Sequence, residues 1–326
     1  MKKGEWLNHT EGIAKIDALG KSGEPFFFLL SYDKKKIFAQ SLHTLDDGIL
    51  YKLEDWRNYP AEKRNRTFTF EKFPIDFLHY QKGIERIKNE IQSGNTYLLN
   101  FTFKTPIESD LTLKEIFTYA RAKFKLYFRG EFICFSPERF IDINHNTIAT
   151  YPMKGTIEAS LPDAQREILS NPKEMAEHVM IVDLMRNDLG IVGESVKVEK
   201  FRYIDKIRAG EKELLQVSSK ITAELPDDWR EHIGTILDQL TPAGSITGAP
   251  KKRTIEIIHK VENYDRGFYT GIFGIFDGKS LRSGVMIRFI EEENGKLFYK
   301  SGGGITIDSD ARSEHKELID KIYLPF

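Results

Sequence analysis

A single cysteine, Cys134, stands in 326 residues, so an intramolecular disulfide is excluded and a cysteine-built zinc site has no ligands to draw on. The chain fits a reducing compartment. Long apolar runs are also missing. The most obvious one, Phe26-Phe27-Phe28-Leu29-Leu30, is far shorter than the roughly 20 residues a membrane helix needs, and the chain turns polar directly after Met1-Lys2-Lys3. Charge of one sign is lacking too: 48 Lys+Arg against 49 Asp+Glu leave a formal net charge of −1, without the basic excess of a nucleic-acid binder. An anion site must therefore come from a local arrangement. No internal repeat or low-complexity segment is present. The expectation is a cytoplasmic protein acting on a small molecule, with neither nucleic acid nor membrane as partner.

The length suits two domains of about 150 residues or one large domain with a continuous core. The first sixty-odd residues read as strand-rich, with Phe26 to Leu30 and Ile37 to Ala39 flanking a charged turn as a hairpin. A turn follows at Asp46-Asp47-Gly48. The polar stretch Arg57 to Thr67 reads as a connector and suggests a division into 1–70 and 71–326 on one continuous fold. Apolar residues recur at helical spacing from Phe77 to Ile91 and stop at Ser93-Gly94. Tyr97 to Phe103 then reads as a strand. A second helix opens at Asn171-Pro172-Lys173-Glu174, with Asn171 as N-cap and Pro172 in the first helical position, and should end at Gly190 as its C′ residue. A buried strand is expected at Leu214 to Ile221, a helix at Trp229 to Leu240, and a last helix from Asp310. Thr270 to Phe276, Ser283 to Ile290 and Lys296 to Ser301 are β-like runs joined by tight turns. Strands in clusters with helices between them indicate an α+β fold: large antiparallel β-sheets in a sandwich-like core flanked by helices.

Two Glu-x-x-Glu pairs, Glu174/Glu177 and Glu314/Glu317, fall on separate helices, each pair on one face. If four carboxylates converge they need a cation, and Mg²⁺ takes one or two carboxylates while keeping positions for water and substrate oxygens. The plainer alternative is a capping residue and solvated helix charges, and spacing alone favours it. Ser301-Gly302-Gly303-Gly304-Ile305 reads as a glycine turn that lets an anion approach the main chain, or simply bends it. Ala243 to Lys251 is a second small-residue loop, without Walker A spacing, able to present Ser245 and Thr247 hydroxyls. Lys154, in Tyr151-Pro152-Met153-Lys154-Gly155-Thr156, is a nucleophile or base if its site is dry and an ordinary surface lysine if not. Glu138, in Ser136-Pro137-Glu138-Arg139-Phe140, is an ion-pair partner or a proton donor. Arg288, among Met286, Ile287, Phe289 and Ile290 in an expected strand, needs an anionic partner, structural or bound. Tyr269 is either a core aromatic or a substrate contact.

Together, and in this order along the chain, these segments resemble the chorismate-utilising enzymes. Those that carry the resemblance are Ser136 to Phe140, Pro152 to Thr156, Glu177 to Gly190 (EHVMIVDLMRNDLG), Gly244 to Lys251, Ile287-Arg288, and Gly302 to Asp310 with Glu314 and Glu317. They span Tyr97 to the C-terminus. Lysine in Pro-Met-Lys-Gly-Thr is similar to component I of aminodeoxychorismate synthase, where anthranilate synthases typically carry alanine.

The resemblance implies a catalytic domain of antiparallel sheets with Mg²⁺ and chorismate in a cleft. Glu177 and Glu317 would bind the metal, with Glu174 and Glu314 helping directly or through water. Tyr269, Arg288, the Gly302, Gly303 and Gly304 backbone and Lys321 would hold the enolpyruvyl side, and Thr247 would touch the ring carboxylate. Lys154 would attack C2 of chorismate while Glu138 protonates the departing C4 hydroxyl. Ammonia from a glutaminase partner would then enter at C4 and expel the lysine, giving 4-amino-4-deoxychorismate for 4-aminobenzoate and folate synthesis. Two departures stand out. Gln216-Val217-Ser218-Ser219 replaces the family's His-Leu-x-Ser, so Gln216 would offer the substrate an amide in place of an ionisable ring, and no tryptophan-binding segment is recognisable. The alternatives are an anthranilate synthase component I, an isochorismate- or salicylate-forming relative, or a catalytically silent scaffold for a glutaminase.

Overall fold

The computed structural model describes residues 5–60, 67–209 and 212–326, and the chain divides into two compact units that interleave in sequence. The first comprises Met1–Asp46, Glu138–Ser245 and Gly271–Val285; the second comprises Asp47–Pro137, Ile246–Thr270 and Met286–Phe326. The first change of unit falls in the expected Asp46-Asp47-Gly48 turn. Position 70, where a boundary was expected, lies inside the second unit, and the Arg57 to Thr67 connector lies partly outside the described residues.

The first unit is built on one antiparallel sheet. Its strands run, in spatial order, Met153–Glu158, Lys212–Glu224, Thr147–Thr150, Arg139–Asn144, Leu281–Val285, Ile272–Phe276, Phe26–Leu30 and Ile37–Ser41, with Glu194–Ala209 also paired to Lys212–Glu224. The expected hairpin forms, Phe26 facing Ser41 and Leu30 facing Ile37. Phe26–Leu30 buries all five side chains, as an uninterrupted apolar run requires. The opening is not wholly strand: His9–Lys21 is a helix, started by a capping box in which the Asn8 side chain takes the Glu11 N–H and Glu11 reaches back. Glycines at 12 and 20 dilute its apolar stripe, which hid it from the pattern.

The helix Pro172–Val192 begins where expected, its Glu174 N–H donating to the Asn171 side chain at 3.2 Å. It does not stop at Gly190. The chain runs through that glycine for another half turn, and the Gly193 N–H closes on the Leu189 carbonyl at 2.9 Å. The region from Trp229 to Leu240 is a short 3₁₀ turn, Trp229–His232, followed by the helix Ile233–Leu240.

The second unit has its own antiparallel sheet: Gly248–Ala249, Leu98–Ser109, Lys296–Ile305, Phe289–Glu293, Phe132–Ser136, Phe124–Phe128, Ile49–Leu53 and Trp56–Arg57, with Phe70–Lys72 on Leu98–Ser109. The helix Phe77–Gln92 is capped by Asp76 and lays Tyr80, Ile84 and Ile87 onto Leu99, Phe101, Ile305 and Leu318. Each such burial contributes about 1.5–3 kcal/mol. Ile257 and Ile258 of the helix Lys251–Val261 and Leu318 of Ala311–Asp320 complete this core.

Two expectations fail here because pairing partners, and not local sequence, decide where a strand begins and ends. Ser283 to Ile290 divides: Leu281–Val285 belongs to the first sheet and Phe289–Glu293 to the second, so Arg288 lies in the link between them, with φ +52°. Gly302 to Gly304 form no turn; they extend the strand Lys296–Ile305 and pair with Thr102, Phe101 and Asn100. Small side chains are tolerated in that strand because its partner supplies the ladder.

Candidate functional site

Each unit gathers its own set of the residues singled out above. In the first unit, Met153–Glu158 pairs with Lys212–Glu224, but the register shifts between Met153 and Thr156. This bulge takes Lys154 and Gly155 out of the regular ladder and turns them to the first two turns of the Pro172–Val192 helix. Lys154 Nζ stands 3.3 Å from Glu177 Oε2, with 24% and 21% of the two side chains exposed. Gly155 has φ +83°, and a Cβ there would come within 2.8 Å of Glu174 Oε2, so only glycine fits both the backbone and the approach of that carboxylate. Two consecutive residues of the bulge thus face the two carboxylates of one Glu-x-x-Glu pair.

Next to Glu177, the buried His178 places Nε2 2.7 Å from the Ser219 hydroxyl, and the Ser219 N–H donates to the Pro152 carbonyl at 3.0 Å. Burial, reinforced by the Arg202 charge, holds the imidazole down to about 4. This link between helix, strand and bulge was not read from the sequence. The only signal was a histidine on the helix face that also carries the apolar Ile181 and Met185. Gln216 pairs across from Thr156; its Oε1 and the Ser218 hydroxyl two residues on are buried without a hydrogen-bond partner. Glu138 Oε1 accepts the Ser245 hydroxyl, and its own carbonyl accepts the Val285 N–H at 3.1 Å. The expected ion pair of Glu138 is thus, in part, a serine contact.

In the second unit the glycine strand, the helix Ala311–Asp320 and Lys321 come together. Lys321 Nζ donates to the Gly302 carbonyl at 3.0 Å and lies 2.6 Å from Glu317 Oε1. Glu314 Oε1 accepts the Ser309 hydroxyl at 2.9 Å. A Cβ on Gly303 would stand 3.6 Å from both Glu314 Oε2 and Lys321 Nζ. Opposite Gly302 and Gly304, the Thr102 and Asn100 N–H groups turn away, to Glu262 and to the Thr247 carbonyl. Those are therefore non-hydrogen-bonded pairs, and the Gly302 and Gly304 amides point to the other edge, which Phe289–Glu293 covers only as far as Lys300. The Gly302 and Gly304 amides thus lie along a strand edge and not in a turn.

Arg288 is half-buried and no Asp or Glu lies within ion-pair distance of it among the described residues; its Nε has no hydrogen-bond partner. Burial works to lower its pKa, yet Tyr299, Tyr323, which also accepts a hydrogen bond, and Tyr269 outweigh it and raise it. The guanidinium lies 5.5 Å from the centre of the Tyr323 ring. Tyr269 is buried beside Phe289, and Thr247 is fully buried.

Among the described residues no three His, Cys, Asp or Glu side chains form a ready metal cluster. Each Glu-x-x-Glu pair does supply oxygen donors only, with Glu174 closing on Gly155 and Glu314 facing Gly303. Such a set fits a hard divalent ion that takes one or two carboxylates.

Residues 40–325 match the family of chorismate binding enzymes. The chain is 48% identical over 314 residues to an uncharacterized PabA-like protein of Haemophilus influenzae, covering 96% of each. It is 33% identical over 259 residues to aminodeoxychorismate synthase component 1 of Bacillus subtilis, covering 75% of this chain and 54% of that protein, and so spans about half the length of that relative. Its fold resembles that of MenF, the menaquinone-specific isochorismate synthase from Escherichia coli, with a TM-score of 0.74 at 16% identity over 97% of this chain and 82% of the other. With the matching segment covering most of its length, the chain belongs to the chorismate binding enzyme family.

Proposed function

We propose that the protein aminates chorismate at C4 to give 4-amino-4-deoxychorismate, with ammonia supplied by a glutaminase partner. The observation that carries this reading is Lys154, set on a bulge against Glu177, with the adjoining Gly155 against Glu174. The similarity to aminodeoxychorismate synthase component 1 supports the same reaction.

The nitrogen lone pair of Lys154 adds to C2 of the ring. The double bond shifts and the C4 hydroxyl departs, taking its proton from Glu138. Ammonia then adds at C4, the double bond returns, and the lysine leaves C2. Occupying C2 directs the nitrogen to C4. Arg288, with no carboxylate in ion-pair distance among the described residues, takes a substrate carboxylate, and the Gly302 and Gly304 amides, Lys321, Tyr269 and Thr247 add neutral and charged donors. A divalent cation such as Mg²⁺, held by Glu177 and Glu317 with Glu174 and Glu314, would neutralise the ring carboxylate and stabilise charge moving through the diene. Gln216, in place of an ionisable ring, contributes a fixed amide dipole and no proton.

Incubation with chorismate, Mg²⁺ and ammonium, followed by mass spectrometry, tests the assignment. 4-Amino-4-deoxychorismate is the expected product; anthranilate, isochorismate or salicylate alone would overturn it, and no turnover at all would favour the scaffold.

A further inference from the structure

Deep in the second unit, Glu262 and Arg266 form an ion pair with both side chains 2% exposed. They lie one turn apart in chain position, at and beyond the end of the helix Lys251–Val261. Arg266 Nε donates to Glu262 Oε2 at 2.8 Å and NH2 to Oε1 at 2.7 Å, a bidentate geometry. Both groups also bond main chain and threonine hydroxyls. Glu262 Oε1 takes the Thr102 N–H at 2.9 Å and its hydroxyl at 2.8 Å. Arg266 donates to the Ile246 carbonyl at 3.1 Å, the Asn100 carbonyl at 2.7 Å and the Thr270 hydroxyl at 3.4 Å.

Each of those partners adjoins a residue the chorismate reading uses. Ile246 precedes Thr247; Asn100 and Thr102 lie opposite Gly304 and Gly302; Thr270 follows Tyr269. Thr270 moreover has φ +63°, a left-handed conformation rare for a β-branched residue, and such strain persists only where its surroundings impose it. Simple core filling would not require a charged pair here, since apolar residues fill space at less desolvation cost.

We propose that Glu262 and Arg266 are positioning residues that set Thr247, Tyr269 and the glycine edge for the substrate. This rests on the chorismate reading. Lysine at 266 keeps the charge but cannot span three acceptors from one ammonium.

The test is a thermodynamic cycle read by calorimetric titration with chorismate and Mg²⁺ below the unfolding temperature of each variant. Glu262→Gln and Arg266→Lys are each made in the natural chain and in a Thr247→Val/Tyr269→Phe chain, so that two independent perturbations of the pair are compared. Each is expected to weaken binding by about tenfold in the natural chain and by less than about twofold in the altered one. Equal losses in both chains would show that the pair merely supports the fold, and no loss in either would also overturn the proposal. If the unmodified protein does not bind chorismate, the chorismate reading falls and the positioning role with it; binding with additive losses would sink only the latter.

Discussion

Lys154 and Glu177 hold each other at 3.3 Å across the bulge and the helix face, while the neighbouring Gly155 leaves the space that Glu174 fills. One strand irregularity therefore aims an amine and shapes a carboxylate pocket at once. In the account above the amine forms the covalent bond to substrate, and the binding donors are elsewhere. Lys154→Ala is accordingly expected to lower 4-amino-4-deoxychorismate formation by a factor on the order of 10³ or more while chorismate affinity changes by less than about threefold. Product assay and calorimetry check the two halves; unchanged turnover would refute the covalent step.

The two glycine positions should behave differently. Gly155→Ala combines φ +83° with a Cβ 2.8 Å from Glu174 and is expected to destabilise the fold by roughly 1–3 kcal/mol, visible as a lower Tm. Gly303→Ala meets nothing closer than 3.6 Å, so Tm should hold while chorismate binding weakens about tenfold as the methyl group fills the face shared by Glu314 and Lys321. A loss of stability without loss of binding at 303 would contradict the assigned face.

Much of the fold was legible in periodicity and capping. Asn171 and Asp310 each start a helix where expected, and Asp76 caps the helix that apolar spacing alone placed from Phe77, because a short polar side chain before an apolar stripe satisfies free N–H groups. Misreadings occurred where tertiary pairing overrode the local pattern. The Ser283 to Ile290 run looks continuous, yet its two halves find partners in different sheets, and the Gly302–Gly304 strand has weak β preference but a full partner in Leu98–Ser109. The candidate residues were found through their motifs. Spacing could not show that Lys154 would meet Glu177, that Glu138 would meet Ser245, or that His178 would lock onto Ser219, since each pairs residues far apart in sequence.

Among the described residues no carboxylate lies within ion-pair distance of Arg288, so a substrate anion is its proposed partner. Arg288→Gln should weaken chorismate binding by about tenfold to a hundredfold. Arg288→Lys should recover little of this, because an ammonium does not reproduce the planar fork. Near-normal binding by either variant would remove Arg288 from the site.

The metal proposal has its own check. Chelation should abolish turnover and added Mg²⁺ restore it, and Glu177→Gln and Glu317→Gln should each raise the Mg²⁺ needed for half-maximal turnover by about tenfold or more. Reduced turnover with an unaltered Mg²⁺ requirement would assign those carboxylates another role.

Lys125 gives a prediction away from the site. It is 3% exposed, donates to the Ala120 carbonyl at 2.7 Å, and lies 4.5 Å from the Phe117 ring centre. Burial, with the Lys52 charge on the facing strand, lowers its pKa to about 7. Below that pH the folded chain bears the full cost of a buried charge; between about 7 and 10.5 the unfolded chain holds the proton and the folded one does not, so stability rises with pH. Lys125→Met should thus stabilise the protein by a few kcal/mol at about pH 7. The gain over the natural chain should shrink steadily toward about pH 10, as followed by denaturant unfolding. A pH-independent difference would contradict the buried charge.

The central claim is that a lysine nucleophile steers nitrogen to C4 of chorismate. Trapping and mass analysis of the protein incubated with chorismate and Mg²⁺ in the absence of ammonia tests it most directly. The account predicts a covalent adduct on the peptide containing Lys154 that ammonium discharges as 4-amino-4-deoxychorismate. Conversion to that product under conditions where no adduct forms on Lys154, or an adduct that ammonium does not discharge, would contradict it.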